Sequence, residues 1–592
     1  MPQDIVRAVI LVIALLLASV SEPAQAEGLA KLSPVNPVRR CASLTAAHLD
    51  AAVGVPVRVT AAAEVTIDGA LYCDVRGEIA PHNHFEVRLP VRGWTQRFLQ
   101  TGCGGLCGML NVRTDHADSC APVNAHGIVL ASTDMGHSGG MDGSWASAPE
   151  ARIDFAYRGV HLTALAAKAL IQAYYRQAAR FSYFSGCSDG GREALMEAQR
   201  YPKDFDGIAA GAPAMNFQVQ NTFYHAWQAR ANMDARGRAI LTAPKLPALH
   251  AAALKACDAA DGLVDGQITD PRACRFDPAD AECKPGEPDT NACLTSAEVA
   301  AARRLYEGAQ DAAGHHFVIG NPQVGSELAW AGVFVPATRA DPIGSAMMAM
   351  GTVLHLAFEQ NPPAGFTIAD FAFDQATFAR LVPLHALNDA TNPDIGPFAA
   401  HGGKIMLYHG WSDPHISPIN TIAYYQAMRT TLGADRVDGF AKLFLFPGMY
   451  HCGGGDGPAE FDILTPLMAW VERGAVPTVI VAGHNSIAQH MGPPPGVNMA
   501  RRGPPAVQDP PPRNDDVTGP IKIDRTRPVY AYPQIAVYDG RGDVNAAASF
   551  AAGAPIVTDP THCDWAGSGF MQPGFQREFH VVAGHLVAGA KQ

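Results

Sequence analysis

The chain has 592 residues, 48% of them hydrophobic and 17% charged. That is the composition of a packed globule with room for two or three domains, or for one large decorated one. Its formal net charge of −12 argues against nucleic acid or an anionic membrane as a main partner.

Taken in order, residues 1–26 read as a signal peptide. Arg7 supplies the charged start, Ala8–Ala18 a short apolar run, and Ala24-Gln25-Ala26 a small-residue cleavage site. The apolar run is too short to span a bilayer, and no other stretch approaches about 20 apolar residues. The mature chain is expected to start near Glu27 and to be secreted or periplasmic. All 12 cysteines follow this segment, and an even count in an exported chain points to disulfides. Residues 27–75 carry short strand signals, with Cys41 and Cys73 as an expected bridge. Residues 83–140 alternate strands and turns. The loop Gly102–Gly108 follows an apolar strand; it either lends a backbone N–H to an oxyanion hole or is a tight turn pinned by a disulfide. A zinc reading of Cys103-x3-Cys107 lacks a second pair at ligand spacing. Apolar spacing predicts a helix over residues 154–178, with His161 in it as a structural hydrogen-bonding group.

Phe181–Tyr201 reads as a buried strand, a Gly-rich turn and a helix. Gly186-Cys187-Ser188-Asp189-Gly190 fits G-x-S-x-G at that turn. A strand turning directly into a helix tolerates only small neighbours. It lifts the serine hydroxyl above the sheet, and it aims the Asp189 N–H at a developing oxyanion. Gly136-His137-Ser138-Gly139-Gly140 fits the same pattern, but a loop follows it, so Ser138 ranks far below Ser188.

From Ala214 to about Asn392 the texture turns Ala-rich and helical, which reads as an inserted domain over residues 214–395. It holds two compact Cys-closed loops, Cys257–Cys274 and Cys283–Cys293. In the first, Asp258, Asp261 and Asp265 alternate with glycines. Three carboxylates, with the carbonyls of Leu263 and Gln267, suit a structural Ca2+; the alternative is a polar loop of Asx turns. Strand–helix alternation resumes at Gly402, so residues 27–213 and 396–592 form the two parts of one parallel α/β core. A Pro-rich stretch at 493–513 reads as surface loop. Val529–Tyr538 is strand-like, and the tail beyond it carries no clear signal.

A serine nucleophile needs a base, and the base an orienting carboxylate. Both are expected on loops after sheet strands, in the order serine, acid, histidine. Lys404–Gly410 runs into Asp413, and the strand ending at Gly448 runs into His451. These are the candidate acid and base, with His409 and His415 as competitors. Cys187 precedes Ser188 and Cys452 follows His451. If the serine and the histidine meet, these two sulfurs stand near disulfide distance.

The stretches around Ser188, Asp413 and His451, together with RPVYAYPQIAVYDGRGDVNAAASF, resemble the tannase/feruloyl esterase family, which includes mono(2-hydroxyethyl) terephthalate hydrolases. The resemblance runs from about residue 40 to 552. It implies an α/β-hydrolase core with a large, mostly helical lid domain inserted between nucleophile and acid. It implies a Ser188–His451–Asp413 triad, a Cys187–Cys452 bridge, a lid calcium at Asp258, Asp261, Leu263, Asp265 and Gln267, and oxyanion donors at Asp189 and at Gly104 or Gly105. The function it implies is a secreted serine esterase acting on small aromatic esters of feruloyl, galloyl or terephthalate monoester type, with a peptidase or amidase on the same triad, or an inactive aromatic-binding homologue, as alternatives. Trp227, Trp330, Phe334 and Phe358 are lid candidates to clamp an aromatic ring, and Arg339 a candidate cation for a free carboxylate. The chain departs from the family at Tyr530 and Ala552, where members often carry a bridged cysteine pair. Cys103, Cys107, Cys120 and Cys563 are left without assigned partners.

Overall fold

The computed structural model describes residues 28–139, 141–486, 522–558 and 564–591. The signal-like start, the Pro-rich stretch and Cys563 lie outside the described residues. β1 (Val57–Ile67), β2 (Ala70–Ile79) and β3 (Asn83–Pro90) form an antiparallel meander. Asp68 and Gly69, both at positive φ, make the two-residue turn between the first two strands. β4 (Arg97–Thr101) and β5 (Ile128–Thr133) follow, then β6 (Phe181–Cys187), β7 (Gly207–Gly211), β8 (Lys404–Gly410) and β9 (Ala441–Phe446). The nine strands make one sheet in the order β1-β2-β3-β5-β4-β6-β7-β8-β9. β3 pairs antiparallel with β5, and every pairing from β5 to β9 is parallel. Every residue of β4 and β7 is buried. Helices cover both faces of a parallel sheet, which is why β7 reads as an unbroken run of apolar and small residues; the polar Arg97, Gln100 and Thr101 of β4 are buried with hydrogen-bond partners.

α1 (Gly159–Tyr175) is preceded by one π-helical turn, Asp154–Arg158. It ends where Arg176 adopts a left-handed conformation, three residues short of the expected end. α2 (Asp189–Arg200) starts directly at the end of β6. Between β7 and β8 lie α3 (His225–Ala231), α4 (Leu246–Cys257), α5 (Ser296–Glu307), α6 (Gly344–His355) and α7 (Gln375–Asn388). α5 opens with a capping box, in which Thr295 and Glu298 satisfy each other's amides. This insert packs part of its apolar surface on itself, around Leu241, Leu249, Leu305, Trp330 and Phe334. α8 (Pro418–Leu432) follows β8, and α9 (Leu464–Arg473) follows β9.

β10 (Val479–Asn485) pairs with β11 (Ile523–Tyr530), and β12 (Ile535–Tyr538) with β13 (Phe550–Gly553). The expected strand over Val529–Tyr538 is thus two strands, divided at Tyr532-Pro533. At Tyr530 and Ala552 strand pairing and one side-chain hydrogen bond tie the chain. Ala552 lies opposite Ala536, and the Tyr530 hydroxyl donates to the Phe550 carbonyl at 3.4 Å. The tail also has a place in the fold. Its hairpin, β14 (Arg577–Val582) with β15 (His585–Lys591), docks where the Phe579 amide donates to Tyr157 and Phe570 stacks on His385 at 3.9 Å. Among the described residues no helix is long and apolar enough to cross a membrane.

Candidate active site

Ser188 stands between the last residue of β6 and the first of α2, at φ 66° and ψ −121°. A non-glycine residue at positive φ is strained, and such strain clusters at functional positions. Here it follows from the abrupt strand-to-helix turn. The backbone around it is held on three sides: the Ser188 N–H donates to Gly211, and the Ser188 carbonyl accepts from Arg192 and Ala214. Small residues are obligatory at this crossing. A Cβ on Gly186 would come within 2.5 Å of the Gly190 carbonyl, and one on Gly102 within 2.5 Å of the Gly190 Cα. The rival at Ser138 lies in an exposed loop with no helix behind it, and its neighbour His137 is stacked on Trp145 at 3.7 Å.

Asp413 and His451 come from the loops after β8 and β9. His451 Nδ1 donates to Asp413 Oδ2 at 2.7 Å. This fixes the proton on Nδ1 and leaves Nε2 as an acceptor. Asp413 is fully buried and saturated. Oδ2 also accepts from His409 Nε2 at 3.1 Å, and Oδ1 accepts the amides of His415 and Ile416 at 2.8 and 3.0 Å. Burial alone would raise this carboxyl, but the charges and hydrogen bonds of His451 and His409 overcome it and hold it well below the usual carboxylate range. Ser188 and His451 are only half-buried, so the acid sits beneath two groups that solvent reaches. The Cys187–Cys452 bond, with its Cα atoms 5.9 Å apart, ties the residue before Ser188 to the residue after His451. A serine, an imidazole with a free Nε2 and a buried carboxylate are the parts that nucleophilic acyl transfer requires.

His409 is a partner of Asp413 from below, with its other nitrogen bonded to Thr421 at 2.8 Å. His415 lies beside His451, ring centroids 4.9 Å apart, and its buried Nδ1 has no hydrogen-bond partner. Sequence reasoning missed His225 of the insert, which sits 5.8 Å from His415. Burial, helped by the charge of His451, lowers its imidazole to about 4 despite a hydrogen bond to Gln228. The unfolded chain takes up this proton from about pH 6.5, whereas the folded chain resists until about pH 4. Stability therefore falls as pH falls through that window, by up to about 3 kcal/mol. H225Q should flatten the fall in Tm between about pH 6.5 and about pH 4.5, read against the wild type so that other groups cancel.

The loop Gly102–Gly108 faces the start of α2, and Cys103 and Cys107 are bonded to each other. The bridges Cys41–Cys73, Cys257–Cys274 and Cys283–Cys293 also form. Cys120 is a buried free thiol, pushed up to about 12 by desolvation.

The aromatic residues expected to clamp a substrate ring lie elsewhere. Trp330 and Phe334 are completely buried in the insert's own core. Trp227 donates to the Arg304 carbonyl and packs edge-on against Phe373, and Phe358 is buried beneath Arg380. Arg339 is bonded to the Ala239 carbonyl and to Asp234. The insert needs a core of its own, and its aromatic residues supply it.

In the acidic loop, Gly262 and Gly266 make left-handed turns that fold it back on itself. Asp258 accepts the amides of Asp265, Gly266 and Gln267; Asp261 accepts from Leu263 and Thr269; Asp265 is paired with Arg527 at 2.6 Å. Burial raises the Asp261 carboxyl, and the charges of Asp265 and Asp258 add to the rise. The loop collects hard oxygen donors of the kind a divalent cation takes, with the Asp265 charge already paired with Arg527 and the Asp258 oxygens on backbone amides. The three carboxylates of this loop do not converge within 4.8 Å of one another; among the described residues two groups do, Cys103, Cys107, Asp189 and Glu193, and His161, Glu197 and Asp204. The sulfurs of the first are spent in their own bond. In the second, the Lys168 ammonium lies 4.0 Å from the Asp204 carboxylate and supplies the positive charge.

A mostly parallel sheet with a strained serine at a strand-to-helix turn, and an acid and a histidine on later strand-end loops, defines the α/β-hydrolase class. The solved structure of feruloyl esterase B from Aspergillus oryzae has the same fold, with a TM-score of 0.70 at 24% identity over 85% of this chain and 100% of that one. The family model for tannase and feruloyl esterase matches residues 63–552. An uncharacterized esterase of Xanthomonas campestris pv. campestris is 32% identical over 86% of this chain and 89% of its own length. A mono(2-hydroxyethyl) terephthalate hydrolase of Piscinibacter sakaiensis is 31% identical over 82% and 85%. The chain belongs to the tannase and feruloyl esterase family, and it is a carboxylic ester hydrolase.

Proposed function

We propose that the protein hydrolyses esters of hydroxylated aromatic acids through an acyl-enzyme on Ser188. The observation that carries this reading is the strained Ser188 turn, stapled through Cys187–Cys452 to the loop of the His451–Asp413 pair. Ser188 Oγ attacks the ester carbonyl while His451 Nε2 takes its proton. The oxyanion is received by the amides of Asp189 and Gly104. His451 returns the proton to the departing alcohol, and water then releases the acid by the same steps in reverse order. Asp413 stays ionised throughout and stabilises the imidazolium, as its depressed proton affinity requires.

Two features favour a phenolic acyl group over a free carboxylate. Arg303 is paired with Asp277, Arg304 with the Ala231 carbonyl, and Arg339 with Asp234, so each of these insert cations is engaged. Beside His451 the insert and the acid loop instead present His225 and His415, both kept neutral by burial, which suit hydroxyl partners. The test is a panel of methyl ferulate, methyl gallate, mono(2-hydroxyethyl) terephthalate and a matched feruloyl amide. The hydroxylated methyl esters should give the highest kcat/KM. Preference for the terephthalate monoester would overturn the acyl assignment, and faster turnover of the amide would overturn the ester reading.

The same reading makes residues 1–26 an export signal and the insert a lid bearing a structural calcium at Asp258, Asp261, Asp265 and the carbonyls of Leu263 and Gln267. The ion would draw three repelling carboxylates together and play no part in the chemistry. Chelation should lower Tm by on the order of 5 °C, and added Ca2+ should restore it. An unchanged Tm would remove calcium from the assignment.

A further inference from the structure

Glu193 is a buried acid close to the site whose carboxyl the proposed reaction does not use. It lies on α2, five positions after Ser188, and is 1% exposed. Its Oε1 accepts the Cys103 amide at 3.0 Å, while its Oε2 has no hydrogen-bond partner. A carboxyl so placed is costly. What it does there is reach from α2 into the glycine-rich loop.

That loop is a small closed ring. The Cys103–Cys107 bond joins its ends, the Cys107 amide donates to the Gly104 carbonyl at 3.1 Å, and Gly105 and Cys107 sit at φ 64° and 60°. Its near end has no slack, because Gly102 lies against Gly190 at a distance that admits no side chain. On its far side the ring is held by His137 Nε2 on the Leu106 carbonyl at 2.7 Å and by the Gly108 amide on the Asp134 carbonyl at 3.2 Å; on the side facing α2 the fixed point is the Cys103 amide, which Glu193 holds. One rigid helix therefore begins with the Asp189 amide and, one turn later, grips the ring that carries the Gly104 amide.

We propose that Glu193, acting with the Cys103–Cys107 bridge, is a positioning residue that sets the Gly104 amide against the Asp189 amide as the second oxyanion donor. This rests on the acyl-enzyme reading above. The role belongs to the acceptor oxygen and not to the charge, since burial and the neighbouring Asp189 push the Glu193 carboxyl well above its usual range. Displacing a preorganised donor by about 1 Å can cost about 10²-fold in rate without altering ground-state binding.

The test compares E193L, which keeps the bulk and loses the acceptor, with E193Q, which keeps an acceptor oxygen at the same reach. E193L should lower kcat about 10²-fold with KM within about threefold of wild type, and E193Q should stay within about threefold in both. C103S/C107S, which opens the ring from its other end, should lower kcat in the same sense and covers the case in which E193L does not fold. Each protein is also treated with diethyl p-nitrophenyl phosphate, which forms a tetrahedral adduct on an activated serine. E193L should be labelled on Ser188 at a rate reduced in step with its kcat. Equal loss in E193Q and E193L, or wild-type kcat in a folded E193L or C103S/C107S, overturns the inference. Failure of the wild type itself to be labelled on Ser188 would instead remove the acyl-enzyme reading on which it rests.

Discussion

Replacing Ser188 by alanine should lower kcat/KM on the best ester of the panel by at least about 10⁴-fold and leave the melting temperature almost unchanged. The size follows from the loss of the covalent route: what remains is the polarisation of the carbonyl by two amides and the orientation of bound substrate. The stability expectation has a separate cause. The strained backbone at Ser188 is held by Gly211, Arg192 and Ala214 through main-chain hydrogen bonds, none of which needs the hydroxyl. Rates on the ester and a thermal melt, measured together, check both halves. An S188A protein that kept even a tenth of its turnover would sink the assignment.

The second large effect is expected at Asp413. D413N should lower kcat about 10⁴-fold, since an asparagine amide facing His451 Nδ1 favours the tautomer with its proton on Nε2, which can no longer accept from Ser188. Unlike S188A, this variant should also melt early. Asp413 Oδ2 is shared by His451 and His409 at 2.7 and 3.1 Å, and Oδ1 caps the amides of His415 and Ile416. An amide group can accept only half of these bonds, and the rest become unsatisfied in a fully buried place, at about 1–3 kcal/mol each. Loss of activity with a wild-type melt would mean that Asp413 does not anchor the loop. A stability loss with normal kcat would move the acid elsewhere, leaving His409 and its neighbours to be explained.

Much of the candidate site was legible because its requirements are local. A strand that turns into a helix with no intervening loop demands Gly186, Gly190 and Gly191, so the position of Ser188 shows in five consecutive letters. Parallel strands read as apolar runs, so the loops bearing Asp413 and His451 could be located from where Lys404–Gly410 and the strand before Gly448 end. The left-handed turns at Gly262 and Gly266 likewise show as glycines alternating with aspartates. The aromatic assignments fared differently. Trp330 and Phe334 have the composition of a ligand clamp, but one tryptophan in a core and one in a cleft look alike in a sequence, and packing put both in the core. Arg339 is a candidate cation for a substrate carboxylate in the sequence, yet Asp234, 105 positions away, pairs with it. The tail gave no signal because its hairpin depends on docking against Tyr157 and His385, contacts with no local pattern.

The sequence by itself determined the elements: the family, the alternation of strands and helices, the strained serine turn, and the order of serine, acid and histidine. These rest on propensity, periodicity and steric demands that act over a few residues. Only the tertiary structure decided which groups meet. It placed Cys103 with Cys107 where the spacing had left both open, put His409 beneath Asp413 and His225 beside His415, and brought Glu193 to the Cys103 amide 90 positions away. Such meetings depend on how whole elements pack, and the free energy of packing is shared among many residues, none of which carries it in its own stretch of chain.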